Sequence, residues 1–378
     1  MKRDIQGFRT WIEIDRSAVK HNYEQFRSLI PQSTKLCGVV KSNAYGHGFI
    51  DFARELEVLG VDMFAVDSVS EALRLRKEGL EKPILVLGYT LPEKIIEASQ
   101  DNIALTVSQF ETLEFIKNLD VQQKIKIHIK VDTGMHRQGF LEEYSDKLVV
   151  LLKEISSKVE VVGLFSHLAS ADDPQQILFT EIQVKRLLVW KEIFTQAGFS
   201  FMTHIGATSG VIGLPEAHFD MVRVGAGLYG VWPSEELRER FSQTIILKPV
   251  LSWKAIISEI KKVPQGDKIG YGLTEEFTRD TVVGIVPIGY WHGFDRGLSS
   301  KGNVLVNGER TKVLGRVSMD MIAIDLTGID PVEVLNEAVL IGKSGSEEIF
   351  LQDIASLIDT SSYEVMTRLN PLIKKIYV

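Results

Sequence analysis

Eight short apolar runs, each followed by a helix-like stretch, constrain this chain more than any other feature. They are "CGVVK" (37–41), "MFAVD" (63–67), "ILVLGY" (84–89), "IALTV" (103–107), "IKIHIKVD" (125–132), "VEVVGLFSH" (159–167), "FMTHIGA" (201–207) and "MVRVG" (221–225). Their near-continuous apolar character suits parallel strands buried on both faces. Between them lie helix signals such as "DSVSEALRLRKEGL", with Ser70 ahead of an apolar-periodic run and Gly79 at its end. Eight strand–helix units in roughly 200–250 residues are the pattern of an α/β (β/α)8 barrel of the TIM type. A doubly wound open sheet is the alternative, because alternation alone does not close a barrel.

Beyond about Ser234 the texture changes. "PVLSWKAIISEIKKV", "TVVGIVPIGY", "NVLVNGERTKVLGRV" and "DMIAIDLTG" are strand-like runs joined by short turns, and "VNGER" carries an asparagine–glycine hairpin signal. Helical pattern is scarce until "LQDIASLI". The reading is a barrel over 16–240 followed by a mainly β domain over 241–378. The strand "TWIEID" within 1–15 has no barrel partner in sequence order and is expected to join that β domain, which would make it discontinuous.

The net charge of −7, from 43 basic and 50 acidic residues, is spread without a basic stripe, so nothing favours nucleic acid. One cysteine, Cys37, leaves no intrachain disulfide and no cysteine-rich metal site. No apolar signal region or membrane-length run is visible. A cytoplasmic protein with no metal centre is expected.

A barrel makes the strand ends informative, because barrel enzymes place their chemistry there. Lys41 ends the first barrel strand. Lys130 and Asp132 end the fifth, with Arg137 in the following loop. His167 ends the sixth, Thr208 and Ser209 follow the seventh, and Arg223 lies in the eighth just before Gly225. Any one of these is ordinarily a solvated charge or a satisfied core group; their convergence on one rim is harder to dismiss. "GAGLYG" (225–230) matches G-x-G-x-x-G, but a dinucleotide site needs a helix next, where this chain reads "VWPSEEL", and an acidic residue about 20 positions on, where it reads "ILKPV". After the last barrel strands it suits a phosphate instead. A lysine delivered by a strand end suits an imine with an aldehyde cofactor, and pyridoxal phosphate also needs a phosphate site and a partner for its ring nitrogen.

"VVKSNAYGHG" resembles the cofactor-binding motif of the alanine racemases, fold-type III pyridoxal-phosphate enzymes. The likeness covers essentially the whole chain through "TWIEIDRSAVKHNYEQFR", "IKVDTGMHRQGF", "GLFSHLASADD", "FDMVRVGAGLYGVWPS", "GDKIGYG", "PIGYWHGFDRG" and "VLGRVSMDM". It implies pyridoxal 5'-phosphate held covalently by Lys41, which also serves as one acid–base group, with Tyr271 as the second. Tyr45, Thr208, Gly225 and Ala226 would bind the phosphate, and Arg223 would face the ring nitrogen. An arginine donates and does not accept a proton, so that nitrogen should stay unprotonated. Lys130 matches a lysine carbamylated in many members, where it orients Arg137. Arg137 would bond the cofactor's phenolic oxygen and help place the substrate carboxylate. His167 would link Tyr271 to Arg223, and Met319 would meet the substrate carboxylate through its backbone. Tyr290, Asp172, Arg296 and Arg316 would line the entrance. The resemblance further implies a head-to-tail homodimer with shared active sites, a small amino-acid substrate, and a role in supplying D-alanine for peptidoglycan.

Racemisation explains the need for two groups: a proton leaves one face of Cα and returns to the other. Several positions depart from the family pattern. Ser42 replaces a usual alanine; "HIGATSG" puts Ala207 and Thr208 where asparagine and serine are common; His292 stands where aspartate is frequent. Pro371 and Leu372 fall where many members carry a tyrosine–arginine pair. A serine or broad-specificity racemase is a near alternative. A fold-type III decarboxylase would need a cysteine in the β domain, where this chain has none. A noncatalytic cofactor carrier would lack that domain and the Tyr271 position.

Overall fold

The computed structural model describes residues 7–378. Two compact units are present: Val19–Ala44 with Phe49–Lys248 form one, and residues up to Ala18, Tyr45–Gly48 and Pro249–Val378 form the other.

In the first unit, strands form where the apolar runs lie. They are β2 (Lys35–Val39), β3 (Met63–Val66), β4 (Ile84–Val86), β5 (Ile103–Val107), β6 (Ile125–Lys130), β7 (Val159–Phe165), β8 (Met202–His204) and β9 (Met221–Val224); β1 belongs to the other unit. All neighbours are parallel, in the order β8-β7-β6-β5-β4-β3-β2-β9. The two end strands also meet: Asp220 N–H donates to Thr203 O at 3.1 Å and Arg223 N–H to Gly206 O at 3.0 Å. The sheet is therefore a barrel and not an open doubly wound sheet. All five residues of β5 are buried, as a strand covered on both faces requires.

The helix after β3 spans Val69–Lys77 and is capped by Ser68, not by Ser70 as its apolar periodicity suggested. The Ser68 hydroxyl accepts the Glu71 N–H at 3.3 Å, so the cap lies two residues earlier and Ser70 falls inside the first turn. Strand β7 carries an irregularity where its register against β6 slips between Ile127 and His128, which places Gly163 opposite His128. A Cβ at Gly163 would sit 2.0 Å from His128 Nδ1, so only glycine admits that ring.

The second unit is mainly β. Its strands include β1 (Thr10–Ile14), β10 (Leu251–Ile256), β11 (Glu259–Val263), β12 (Lys268–Ile269), β13 (Glu275–Glu276), β14 (Thr281–Val286), β15 (Asn303–Val306), β16 (Glu309–Leu314), β17 (Ile322–Asp325), β18 (Glu337–Ser344), β19 (Glu347–Ile349) and β20 (Lys374–Tyr377). The main sheet runs β11-β14-β17-β16-β15-β18-β10-β1-β20. Strand β1 lies antiparallel to β10 and parallel to β20. Its Trp11, Ile12 and Ile14 are fully buried, which ties the start of the chain to its end. The hairpin β15–β16 turns through Asn307 (φ 49°) and Gly308 (φ 86°), the positive-φ pair of a type I′ turn. Among the described residues, no helix is long and apolar enough to cross a membrane.

Candidate active site

Lys41 follows β2 directly. The strand is continued by the Val40 N–H, which donates to Ala65 O at 2.9 Å, and the lysine emerges half-buried at the barrel rim. Its Nζ lies 3.5 Å from Asp67 Oδ1, at the end of the neighbouring strand. The backbone then enters a left-handed turn: Ser42, Asn43, Ala44 and Tyr45 have φ of 55°, 59°, 50° and 51°. Tyr45 sits in the other unit's segment, its ring centroid 6.2 Å from that of Tyr363. Burial pushes its hydroxyl up to about 12, so it remains a neutral donor.

Around the barrel, cations accumulate. Arg223, on β9, is 3% exposed. Its Nη1 meets His204 Nδ1 at 2.5 Å, and its Nη2 reaches Ser166 O at 2.9 Å, Ile205 O at 3.1 Å and His167 Nδ1 at 3.2 Å. These are carbonyls and imidazoles, not carboxylates. Lys130, at the end of β6, is buried and donates to Gln138 Oε1 at 2.9 Å. Burial lowers its amine to about 8, helped by the charges of Arg137, Arg223 and Lys41. His167, two residues past β7, is held well below its usual range by burial and then by Arg223, Arg137, Lys130 and Lys41. Lys130, Arg137, Gln138, Ser166 and His167 line one small pocket. The rim therefore holds a positive field, which suits a ligand bearing phosphate and carboxylate groups.

The glycine loop completes the barrel's share. Thr208 begins the short helix Thr208–Gly213, and its buried Oγ1 accepts N–H groups from Gly225 and Gly227, each at 3.3 Å. Its own proton is left to donate outward. A Cβ at Gly227 would lie 2.1 Å from the Phe26 ring and 2.9 Å from Thr208 Cγ2, so glycine is required where the threonine methyl packs. Ala226 follows in a 3-10 turn over Ala226–Tyr229, and Ser209 is half-buried. Asp172 lies in the loop after β7, its carbonyl accepting from Ser234 Oγ at 3.3 Å. This donor set fits a phosphorylated aldehyde: a strand-end amine, a buried hydroxyl whose acceptor side is filled by glycine amides, and a buried guanidinium. Cys37, by contrast, is fully buried with its thiol pushed up to about 12 by burial, and is inert.

The remaining expected residues lie in the second unit. Tyr271 stands at the tip of the β12–β13 hairpin, between Gly270 and Gly272, both at φ 75°. It is 71% exposed. Glu275 anchors that hairpin by accepting from Ser300 Oγ and Gly315 N–H, each at 2.6 Å, and from Lys312. Arg316 packs its guanidinium against Gly272. Tyr290 and Arg296 line a pocket with Gly293, Asp295 and Arg368. Tyr290 N–H donates to Ser318 O, and the Met319 carbonyl accepts from Trp291 N–H, both at 3.0 Å.

Sequence reasoning passed over Glu71, Gln138, His128 and His204. The alternation in "IKIHIKVD" puts His128 and Lys130 on one strand face, and Ser68-x-x-Glu71 is a capping-box pattern; those were the available signals.

Both halves of the chain match known families. Residues 14–233 match the alanine racemase N-terminal domain and residues 250–377 the alanine racemase C-terminal domain. An alanine racemase of Carboxydothermus hydrogenoformans is 35% identical over 97% of this chain and 99% of its own length. One from Methanococcus maripaludis is 36% identical over 97% and 98%. Among solved structures, the alanine racemase of Clostridium difficile superposes with a TM-score of 0.92 at 32% identity, covering 98% of this chain and 96% of that one. That of Bacillus anthracis, solved with bound L-Ala-P, gives 0.92 at 33% identity over 98% and 95%. Barrel and β domain alike thus match alanine racemases along nearly the whole length of the chain, and the chain belongs to the alanine racemase family.

Proposed function

We propose that this protein interconverts L-alanine and D-alanine with pyridoxal 5'-phosphate, using Lys41 and Tyr271 as acid–base groups on opposite faces of the substrate Cα. The observation that carries the reading is the rim itself: Lys41 at a strand end, beside Asp67, where the charges of Lys41, Arg137 and Arg223 all act on Lys130 and outweigh that of Asp132. When bound, the cofactor supplies an aldehyde carbon for capturing the amino acid and a conjugated ring that accommodates charge at Cα.

The chain's own residues would do the rest. Lys41 holds the cofactor and moves the proton on one face. Thr208 donates its hydroxyl to the phosphate, beside the amides of Gly225 and Ala226 and the Tyr45 hydroxyl. Arg223, a donor only, gives the ring nitrogen a hydrogen bond and no proton. Arg137, oriented by Lys130, attracts the substrate carboxylate, which Met319 meets through its backbone. Tyr290, Asp172, Arg296 and Arg316 set the entrance. The product D-alanine would serve peptidoglycan synthesis.

Tyr271 would come from a partner subunit in a head-to-tail homodimer, hydrogen-bonded to His167 and connected through it to Arg223. Support comes from exposure: Tyr271, Leu273, Tyr290, Trp291, Met319 and Met321 all present large side chains to solvent from one unit. Exposed apolar groups in that number mark an interaction surface.

The test is chiral chromatography of L-alanine incubated with the protein and pyridoxal phosphate, paired with borohydride reduction and peptide mapping. D-alanine should form only with the cofactor, and the reduced adduct should map to Lys41. L-serine in parallel separates narrow from broad specificity. An adduct at Lys41 without any racemisation would assign the chain to cofactor carriage; an adduct elsewhere would remove Lys41.

A further inference from the structure

The turn after Lys41 is costly. Left-handed helical backbone disfavours L-residues and is ordinarily visited by single residues. Here four consecutive non-glycine residues, Ser42 to Tyr45, adopt it. Something must hold them.

Three contacts do so. Ala44 N–H donates to Val40 O at 2.9 Å, and Phe49 N–H donates to Asn43 Oδ1 at 3.1 Å. The third comes from outside the turn. Glu71 Oε1 accepts the Ser42 N–H at 2.7 Å, while its Oε2 accepts the Asp67 N–H at 2.7 Å. One carboxylate therefore clasps the residue after Lys41 and the residue after β3. Asp67 is also the side chain whose carboxylate lies 3.5 Å from Lys41 Nζ.

Glu71 is placed for this by its own helix. It occupies the third position after the Ser68 cap, and its N–H is bound by the Ser68 hydroxyl. In an ordinary capping box the glutamate returns to the N–H of the cap residue. Here it reaches one residue further back, to Asp67, and spends its second oxygen on the neighbouring loop. Both bonds are short and charge-assisted, the stronger class.

We infer that Glu71 is a positioning residue for Lys41: it fixes the left-handed turn, and with it the direction in which the lysine leaves the barrel. The inference rests on the reading of Lys41 as the reacting amine. A lysine has a flexible four-carbon stem, so its aim depends on where the backbone starts it. An amine that must meet a carbonyl carbon and a Cα proton from one anchor needs that start held within a fraction of an ångström.

The experiment uses Glu71→Ala and Glu71→Gln in the full chain. The glutamine keeps one acceptor oxygen, but its NH2 cannot accept an N–H, so it retains at most one of the two bonds. Hydrogen exchange by mass spectrometry, on cofactor-free protein, reads the clasp without reference to the reaction. Peptides covering Ser42–Tyr45 and Asp67 should exchange about tenfold to a hundredfold faster in Glu71→Ala, as loss of a charge-assisted bond implies. Those covering β5 to β7 should be unchanged, and Glu71→Gln should fall between. With cofactor, kcat should fall by a similar factor while KM for alanine stays within about twofold, and Glu71→Gln should recover part of it. Unchanged exchange at Ser42–Tyr45 would overturn the inference. So would a loss of protection spread over the whole barrel with kcat unaffected, which is what a merely structural glutamate gives. If borohydride mapping places the adduct on another lysine, the exchange result stands and the reading of Lys41 falls alone.

Discussion

His128 Nδ1 lies 2.9 Å from His204 Nε2, and both rings are fully buried inside the barrel. Arg223 fixes the protons of this pair. A guanidinium only donates, so His204 Nδ1 accepts from it and the His204 proton sits on Nε2. That N–H donates to His128 Nδ1, which leaves the His128 proton on its own Nε2. The chain Arg223–His204–His128 runs in one direction, with both imidazoles neutral. The Phe165 ring stacks on His204 at 4.6 Å between centroids and completes the setting.

This neutrality makes stability depend on acid. Burial and then Arg223 lower His128 from 6.5 to about 3, and His204 is likewise held well below its usual range. The unfolded chain binds these protons and the folded one does not. Stability therefore falls as pH drops from 6.5 toward about 3. Between pH 7 and pH 5 the His128 imidazole costs the folded state about 2 kcal/mol. His128→Asn retains an acceptor near Nδ1 and removes the titration. Denaturant unfolding at the two pH values should show the acid penalty shrink by about that amount; an unchanged penalty would contradict the assignment.

Gly163 makes room for the pair. A methyl group there would stand 2.0 Å from His128 Nδ1. Gly163→Ala should destabilise the barrel by about 1–3 kcal/mol, as overpacking does. Adding His128→Ala should restore most of that loss in a double-mutant cycle. A Gly163→Ala variant as stable as the parent would place the ring elsewhere.

The proposed role of Lys130 carries a test for carbamylation. With its amine near about 8, roughly a tenth is neutral at pH 7 and available to carbon dioxide. Gln138, now an acceptor for Lys130, can turn its NH2 toward a carbamate oxygen. In carbon-13 bicarbonate the protein should give a carbamate resonance that strengthens as pH rises through about 8 and is missing from Lys130→Arg. The same resonance in that variant would assign the adduct to another amine.

The proposed sharing of the site between subunits predicts rescue by mixing. Lys41→Ala and Tyr271→Ala are each expected to be inactive. Co-refolded together, about half of the dimers pair unlike chains and each holds one intact site, so about a quarter of the parent activity should return. Chains that pair and stay inactive would place both residues of a site on one subunit.

Much of this was legible in the sequence, for physical reasons. The strands β2 to β9 lie where apolar runs were bounded by turn residues, because a doubly covered strand has no polar face to blur the signal. Lys41 and Arg223 were legible because a charge inside such a run is conspicuous. Glu71 was not: on a helix it reads as an ordinary solvated or capping residue, and its bond to Ser42 joins segments that only the barrel brings together. His128 and His204 lie far apart in sequence, and their contact depends on the register slip at Gly163, which no local pattern encodes. The left-handed turn was hidden for a similar reason, since three of its four residues carry no preference for positive φ.

The most direct test of the two-group account is the fate of the Cα proton. L-alanine is incubated with the holoenzyme in deuterium oxide, and early samples are separated by chirality and weighed by mass spectrometry. If Lys41 and Tyr271 act on opposite faces, the proton removed by one group does not become the proton delivered by the other. The D-alanine formed should then carry deuterium at Cα from its first appearance, while remaining L-alanine stays largely unlabelled. D-alanine that retains the original protium would mean a single group carries the proton from face to face, and the two-group account would be wrong.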